Sequence, residues 1–208
     1  IFLTNKVERQ VKILEANPDY GICYSDLLHF TDEEPRKFFH HRYTCPSGDI
    51  FGKLIHRQFI NPLAVVIRKT ILERFGYFDP NLKRSEDWEL WLRLAKNGVK
   101  FYYLNEILAH YRIRSVNNLS SIESEPEMKE KNLEIFLRLK NKLTPEEIHK
   151  YNFETIIHRL KKKLVLAYLM AGNKNFALKN SNSNPQRFLI LVVPSKIWKF
   201  ILGFVRRM

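Results

Sequence analysis

The chain has 208 residues, of which 45% are hydrophobic and 13% aromatic, so it holds enough apolar material for a folded core. This composition excludes an intrinsically disordered chain, and no uninterrupted apolar run reaches the ~18 residues that a membrane-spanning helix needs. The formal net charge is +13, and +10 of it falls in residues 151–208, which hold 11 Lys and Arg but one acid. Such a basic, apolar tail predicts an anionic partner, either a phospholipid surface or nucleic acid.

Residues 4–17 carry the first helical pattern. Thr4 can cap a helix that ends at Asn17-Pro18, because the residue before a proline is disfavoured in the helical conformation. The apolar positions on one side of this helix are Val7, Val11 and Leu14. The spacing therefore predicts one amphipathic helix.

Residues 20–30 are predicted to form a strand. Their apolar residues are dense enough to indicate burial on both faces, as in an α/β sheet. Asp26 interrupts this apolar run near its end. Because ligands in open α/β sheets lie beyond the carboxyl ends of strands, Asp26 is a candidate site residue, although an acid at this position can equally cap a turn.

The next segment alternates polar turns with short elements. Residues 32–35 are typical of a turn, and Asn61-Pro62 marks the entry to a buried strand. His40 and His41 are adjacent in a predicted strand and point to opposite faces, so they are not expected to share a metal. The elements expected in order are a strand at 37–43, a short helix that follows residues 47–49 and runs through Ile55, a strand at 62–67 and a helix at 69–75 that Gly76 closes.

The strongest candidate for chemistry is a helix over residues 86–97, with Ser85 as its N-cap and Gly98 as its left-handed stop. Glu86 and Asp87 lie in its first turn, where the helix dipole favours negative charge. Its apolar face carries Trp88, Trp91, Leu92 and Ala95, and its opposite face carries an i, i+4 pair, Glu89 and Arg93. A carboxylate on a packed helix is well placed to act as a general base, but acids also occupy a first turn for stability alone.

Cationic residues occur on both sides of this helix. Lys83 and Arg84 precede it, and they can hold a phosphate or simply balance the two acids. Arg112 and Arg114 stand before a Ser- and Asn-rich stretch, residues 115–121. A polar loop of that length is typical of a lid over a site and also of a solvated linker.

The rest of the chain changes from strands to helices. From about residue 123 the pattern is wholly helical, and Thr144 begins a capping box with proline at the first helical position. The elements expected after the acidic helix are strands at 100–104 and 107–113 with a turn at 105–106, a helix from 145 to about 172 and a loop at 173–184. The apolar run at 188–193 is too short to span a membrane. Residues 195–208 form an amphipathic pattern that suits a helix in a membrane surface or one docked on the protein.

Several short motifs stand in a fixed order along residues 1–120. They are Asn17-Pro18-Asp19, Tyr24-Ser25-Asp26, Asn61-Pro62, residues 65–68, residues 76–79, residues 85–95 and Tyr111-Arg112. This ordered set resembles the C-terminal half of family 2 glycosyltransferases with the GT-A fold. The resemblance implies a partial GT-A domain at 1–120, of α/β class with a mixed sheet and flanking helices, and leaves 121–208 as an all-helical basic extension.

The resemblance also implies a chemistry. In that family the acid pair that matches Glu86 and Asp87 is the ED motif, whose aspartate deprotonates the acceptor hydroxyl during inverting transfer from a nucleotide sugar. Asp87 is then the expected general base, with Glu86 beside it. The substrate-binding residues expected with it are Asp26, Asn61, Arg84, Trp88, Arg112 and Arg114. The family often has a histidine where this chain has Arg114, so a metal contact from that position is not expected here.

Two family motifs do not occur in the sequence. Family members bind Mg²⁺ or Mn²⁺ through a DxD motif that precedes the segment resembling residues 1–6, and no DxD occurs among these 208 residues. We therefore expect the divalent cation site upstream, no metal ligands in this chain, and a fragment that is inactive alone. The QxxRW motif of processive synthases is also missing, which favours transfer of one sugar.

The expected partners follow from the resemblance and from the tail. They are a nucleotide-sugar donor, a glycan or lipid-linked acceptor, and an anionic membrane surface contacted by the C-terminal helices. Cys23 and Cys45 are too few for a disulfide scaffold, which suits a cytoplasmic protein at the inner face of the membrane. The rival hypothesis is a non-enzymatic basic adaptor that binds anionic membrane or nucleic acid through residues 151–208; nucleic acid ranks lower because no RNP-like aromatic pattern is present.

Overall fold

The computed structural model describes residues 1–31, 38–39, 45–113 and 125–181. The chain divides into two compact units, Ile1–Asn118 and Leu119–Met208. The first unit combines a mixed sheet with flanking helices, which confirms the predicted α/β class. The described part of the second unit is helical.

The sheet of the first unit is built around its most buried strand, β1. Strand β1 pairs in parallel with β4 along one edge and antiparallel with β3 and β2 along the other. The strands are β1 (Tyr20–Thr31), β2 (Phe38–Phe39), β3 (Val65–Ile67) and β4 (Lys100–Ile113). β3 covers residues 22–24 of β1 and β2 covers residues 29–30. Among the described residues, no strand pairs with residues 25–28 of β1 on this edge, which leaves a gap in the sheet between β3 and β2.

β4 differs from the two strands that were predicted. It is one strand whose pairing with β1 jumps from Ser25–Leu104 to Asp26–Ile107, so residues 105–106 form a bulge. The prediction of a turn there is wrong, because pairing with β1 on both sides of the bulge keeps these polar residues in the strand. Asp26 lies beside the bulge in the middle of β1, so its predicted place near the strand end is also wrong.

Helix α1 (Lys6–Ala16) packs through polar side chains. Its buried residues are Lys6, Gln10 and Leu14. Of the predicted apolar stripe, Val11 is half-buried and Val7 is 56% exposed, so the prediction is wrong at Val7. The Gln10 amide Nε2 donates to the carbonyl oxygens of Cys23 at 3.0 Å and Ala64 at 2.9 Å. These carbonyls need donors at the point where β3 leaves β1, and the Gln10 Nε2 supplies them, whereas its Oε1 has no hydrogen-bond partner among the described residues. The N-cap residue is Asn5 and not Thr4.

Short elements connect β1 to β4. They are α2 (Phe51–Leu54), a 3-10 turn (Pro62–Ala64), α3 (Lys69–Phe75) and α4 (Glu86–Lys96). The short helix predicted between Asp49 and Ile55 and the helix that Gly76 closes are both confirmed. The strand predicted at 62–67 is limited to β3, because Asn61 caps a turn that begins with Pro62.

The second unit contains helices α5 (Glu125–Lys140), α6 (Pro145–Lys150), α7 (Phe153–Met170) and α8 (Lys174–Asn180). The capping box at Thr144 is confirmed. The single helix predicted from 145 to 172 is wrong, because Asn152 adopts a left-handed backbone with φ 49° and separates α6 from α7. The predicted loop at 173–184 begins with α8, where the Asn173 side chain accepts the N–H of Phe176.

None of the described helices is long and apolar enough to cross a membrane. Several predictions lie outside the described residues: the turn at 32–35, the His40-His41 pair, Arg114, the stretch at 115–121, the run at 188–193 and the amphipathic pattern at 195–208. Of the strand predicted at 37–43, Phe38–Phe39 is described, and it pairs with β1.

Candidate active site

Helix α4 is anchored by its two tryptophans. Trp88 is 8% exposed and Trp91 2%, as the apolar spacing predicts. The Trp88 indole N–H donates to the carbonyl oxygen of Leu54 at 3.0 Å, which joins the start of α4 to the end of α2. A buried N–H that is paired in this way fixes the direction of the ring as well as its depth. The first turn of α4 is therefore held against α2.

The predicted ion pair of α4 has a second role. The Arg93 Nε donates to Glu89 Oε1 at 2.9 Å, as the spacing predicts. The same guanidinium also donates to the carbonyl oxygens of Phe75, Gly76 and Tyr77. The segment that follows α3 is thus tied to the middle of α4. Ser85 is the N-cap residue of the helix, as predicted, but it has a left-handed φ of 58° and forms no side-chain cap bond.

A cleft of about 230 Å³ opens where β1 lacks a partner strand on the edge shared by β3 and β2. Its polar lining comes from β1, from the segment after α2 and from the first turn of α4. The lining residues that matter chemically are Ser25, Asp26, His29, Gln58, Asn61 and Asp87. Asp26, Asn61 and Asp87, which sequence motifs place far apart, therefore meet at one site.

Asp87 is held by donors on both carboxylate oxygens. Its Oδ1 accepts the backbone N–H of Trp88 at 2.7 Å, and its Oδ2 accepts the Gln58 amide Nε2 at 3.0 Å. Burial raises the pKa of Asp87, the two donors oppose that rise, and the neighbouring Glu86 adds to it. The result is a carboxylate that is more basic than an ordinary aspartate and has a defined orientation.

Asp26 is the second acid of the cleft. The Tyr103 hydroxyl donates to its Oδ2 at 2.8 Å, and Asn105 Oδ1 lies 3.2 Å from the same hydroxyl. Burial, and then the Asp26 carboxylate, raise the pKa of Tyr103, so the phenol stays protonated and acts as a donor. The β4 bulge brings these groups beside Asp26. A carboxylate that lines a cleft can accept hydrogen bonds from the hydroxyl groups of a ligand.

The other residues expected at the site differ in their positions. Asn61 lines the cleft, and its Oδ1 accepts the N–H of Leu63 at 2.9 Å. Glu86 and Arg84 are half-buried near the start of α4 and are not among the residues that line the cleft. The Trp88 side chain is buried against α2 and is likewise absent from the lining. These positions suit support of the site more than direct contact with a ligand.

Arg112 is exposed near the end of β4. Its guanidinium lies 5.7 Å from the centre of the Phe30 ring, a cation–π arrangement across the β1–β4 pairing. It is not part of the cleft lining. Arg114 lies outside the described residues.

Gln58 and His29 are cleft residues that sequence reasoning missed. Gln58 stands in an irregular segment 29 residues before Asp87, and neither periodicity nor a motif relates the two positions. His29 lies on β1 and its ring is 5.5 Å from that of Tyr111. The Tyr111-Arg112 motif drew attention to this end of β4. Only the parallel pairing of β4 with β1 shows that His29 lies opposite Tyr111.

The described residues do not form a complete divalent cation site by themselves. No group of three or more His, Cys, Asp or Glu side chains among them is arranged to hold a metal ion. Asp26 and Asp87 are two carboxylates of one cleft, and Mg²⁺ is commonly held by one or two protein carboxylates together with water and substrate phosphates.

Comparison with known families identifies one model that covers most of the first unit. Residues 3–128 match the family described as glycosyltransferase-like family 2. The matched region includes β1, β3, α4 and β4, and so it includes every residue that lines the cleft.

Curated relatives match the same region. The chain is 30% identical over 129 residues to an uncharacterised glycosyltransferase of Methanocaldococcus jannaschii, covering 60% of this chain and 43% of that protein. It is 23% identical over 152 residues to an uncharacterised glycosyltransferase of Rickettsia prowazekii, covering 71% and 46%. It is 28% identical over 116 residues to a Bacillus subtilis glycosyltransferase named for teichuronic acid biosynthesis, covering 55% and 42%. The chain thus spans less than half the length of each of these relatives.

Proposed function

This chain belongs to glycosyltransferase-like family 2, and on that premise we propose that its cleft binds the acceptor during an inverting transfer from a nucleotide-diphosphate sugar. The acceptor is a glycan or a lipid-linked sugar. One relative, from Bacillus subtilis, is named for teichuronic acid biosynthesis, which supports a role in polysaccharide biosynthesis. Absence of the QxxRW motif from the sequence favours the addition of one sugar over polymerisation.

The observation that carries the proposal is the environment of Asp87. Its carboxylate lines a cleft, is fixed by donors from Gln58 and Trp88, and has a pKa raised mainly by burial. Acids placed in a first helical turn for stability alone need none of these features. A directed and unusually basic carboxylate in a cleft matches what a general base requires.

The reaction then follows from this geometry. The acceptor hydroxyl binds in the cleft, where Asp26 and Asn61 supply hydrogen-bonding groups. Asp87 accepts the hydroxyl proton while the hydroxyl oxygen forms a bond to the anomeric carbon of the donor sugar. The bond from that carbon to the diphosphate oxygen breaks on the opposite face, and the nucleoside diphosphate leaves with the electron pair. One displacement of this kind inverts the anomeric configuration.

A divalent cation remains part of the proposal. Mg²⁺ or Mn²⁺ bound to the donor diphosphate would neutralise the charge that develops on the leaving group. No step assigned above to residues of this chain depends on its position. Activity measured before and after chelation, and then with Mg²⁺ or Mn²⁺ restored, tests whether the reaction needs the cation.

The proposal is tested by replacing the base. Asp87→Asn keeps the size and the acceptor oxygen of the side chain but cannot take up the proton. We expect acceptor-dependent release of nucleoside diphosphate to fall by about 10²–10⁴-fold. The assay uses the protein as its gene encodes it, with a panel of nucleotide sugars and glycan or lipid-linked acceptors. Activity near that of the wild type, in a variant with an unchanged melting temperature, would refute the assignment.

A second proposal concerns the helical unit, which we expect to contact an anionic membrane surface. The exposed side of α7 carries His158, Arg159, Lys162 and Lys163. Partial loss of hydration, together with the nearby cations Lys129 and Arg159, lowers the pKa of the exposed Lys163, and an anionic headgroup would relieve that repulsion. Each basic residue near such a surface contributes on the order of 1 kcal/mol.

Vesicle flotation tests this contact. Lys162→Glu with Lys163→Glu should weaken binding to vesicles that contain phosphatidylserine, and neutral phosphatidylcholine vesicles should bind neither form. Lys142→Glu in the same unit, together with a second exposed reversal at Lys150, is the matched control for net charge. Equal binding by both double variants would mean that the α7 surface has no special role. Retained lipid binding without any transferase activity would favour the adaptor hypothesis.

A further inference from the structure

We propose that Gln58 is a positioning residue that orients the Asp87 carboxylate toward the acceptor hydroxyl. This inference rests on the proposed function, in which Asp87 is the base. Gln58 lines the cleft, and its amide Nε2 lies 3.0 Å from Asp87 Oδ2. No sequence motif includes it.

The direction of the Gln58 amide is decided by its other contact. Its Oε1 accepts the backbone N–H of Ile60 at 3.2 Å, and Ile60 is only 1% exposed. Rotating the amide by half a turn would place an NH₂ group against that buried N–H and leave the N–H unpaired, which is costly. The oxygen therefore faces Ile60, and the NH₂ group must face Asp87.

The segment that carries Gln58 is itself fixed relative to α4. The Trp88 indole N–H binds the Leu54 carbonyl oxygen four residues before Gln58, and both groups are buried. Adjacent residues of the first turn of α4, Asp87 and Trp88, are thus bonded to the same segment. Two such links prevent that segment from sliding along α4, so the Gln58 donor keeps its place.

A neutral hydrogen-bond partner such as Gln58 suits a general base better than a cationic partner would. Gln58 is neutral, so it directs the carboxylate without the strong suppression of basicity that a Lys or Arg partner causes. An ionised carboxylate has about four lone-pair sites, and the donors that act on this one are Gln58, the backbone N–H of Trp88 and the backbone N–H of Asp87 itself. The remaining acceptor positions of Asp87 stay available for the acceptor hydroxyl.

The test replaces the Gln58 donor and leaves its size unchanged. In Gln58→Glu one oxygen can still accept the Ile60 N–H, while the other meets Asp87 as an acceptor and a charge. We expect kcat to fall by about 10-fold to 100-fold and the acid limb of the kcat/KM profile to move to higher pH. In Gln58→Leu, which removes the donor without adding a charge, the limb should move in the same direction by a smaller amount. A purely structural role would lower the amount of folded enzyme and leave the limb in place.

Two comparisons make the outcome decisive. Asn97→Asp adds the same charge at the exposed far end of α4, about 15 Å away at 1.5 Å per residue, and should leave both kcat and the limb unchanged. Asp87→Asn is measured in parallel. If that variant is active, the proposed function fails. If it is inactive while both Gln58 variants keep the wild-type kcat and pH limb, the role of Gln58 fails and the base assignment stands. Should one Gln58 variant not fold, the other decides.

Discussion

The two units of the chain hold their acids in different ways. In the first unit, Asp87 stands in a cleft against the neutral amide of Gln58, and burial raises its pKa. In the second unit, Glu134 of α5 accepts from Lys131 at 2.8 Å and from Arg138, and the Lys131 hydrogen bond is the main reason that its pKa is lowered. The comparison shows that a neutral partner can orient a carboxylate without lowering its pKa strongly. Cationic partners lower the pKa of a carboxylate, which then serves only as one member of an ion pair.

The largest expected difference between the two units comes from replacing the acid of each unit by its amide. Asp87→Asn is expected to lower kcat/KM by about 10²–10⁴-fold, because the proton acceptor is removed. Glu134→Gln removes a carboxylate of similar chemistry on another helix and should leave activity within about twofold, since exposed ion pairs contribute little. Initial rates at saturating and limiting acceptor measure both. Equal losses from the two variants would show that the cleft acid is not special.

The two units also differ in how much a buried amide side chain contributes to the free energy of unfolding. Gln10→Leu should destabilise the first unit by about 1–3 kcal/mol, because the Cys23 and Ala64 carbonyl oxygens lose their donor. Asn132 of α5 is 8% exposed, and among the described residues its Oδ1 has no hydrogen-bond partner. Gln10 Oε1 also has no partner among the described residues, but Gln10 Nε2 holds two carbonyl oxygens, so Asn132→Leu should cost less than Gln10→Leu. Urea unfolding of the two variants checks this, and a larger loss for Asn132→Leu would reverse the comparison.

The smallest expected effect is the pH dependence of stability. Asp87 has a pKa that is raised on folding, so its contribution to stability is present below the ordinary aspartate pKa and is lost as pH rises through the raised value. The melting temperature of Asp87→Asn relative to the wild type should therefore rise as pH increases from acid to 7, whatever the variant loses by offering one acceptor oxygen to two donors.

Glu134 should behave in the opposite way. Its pKa is lowered on folding, so its contribution is present above the ordinary glutamate pKa and is lost as pH falls through the lowered value. Glu134→Gln should lower the melting temperature slightly at pH 7 and have no effect in acid. Thermal melts at pH values from about 3 to about 8, which lie on both sides of the ordinary carboxyl pKa values, measure both variants. The same sign for both would contradict the assigned environments.

Local chemistry made several elements of the fold predictable. The capping box at Thr144, the helix that Gly76 closes and the tryptophan-bearing face of α4 depend on residues within a few positions of each other. The buried character of β1 follows from its apolar density. Predictions failed where a distant partner overrode a local pattern: pairing with β1 kept residues 105–106 in a strand, and sheet carbonyls drew Gln10 inward while Val7 stayed exposed.

The sequence alone determined that two acids would open a helix with a tryptophan-rich inner face, because i, i+3 and i+4 spacings are properties of the helix itself. It also contained the ordered motifs from which the family and the candidate base could be inferred. Only the tertiary structure decided that Asp26, Asn61 and Asp87 line one cleft, and that Gln58 donates a hydrogen bond to Asp87. The physical reason is that these contacts join segments separated by tens of residues. Their geometry depends on how β1 pairs and how α2 packs on α4, which no local pattern encodes.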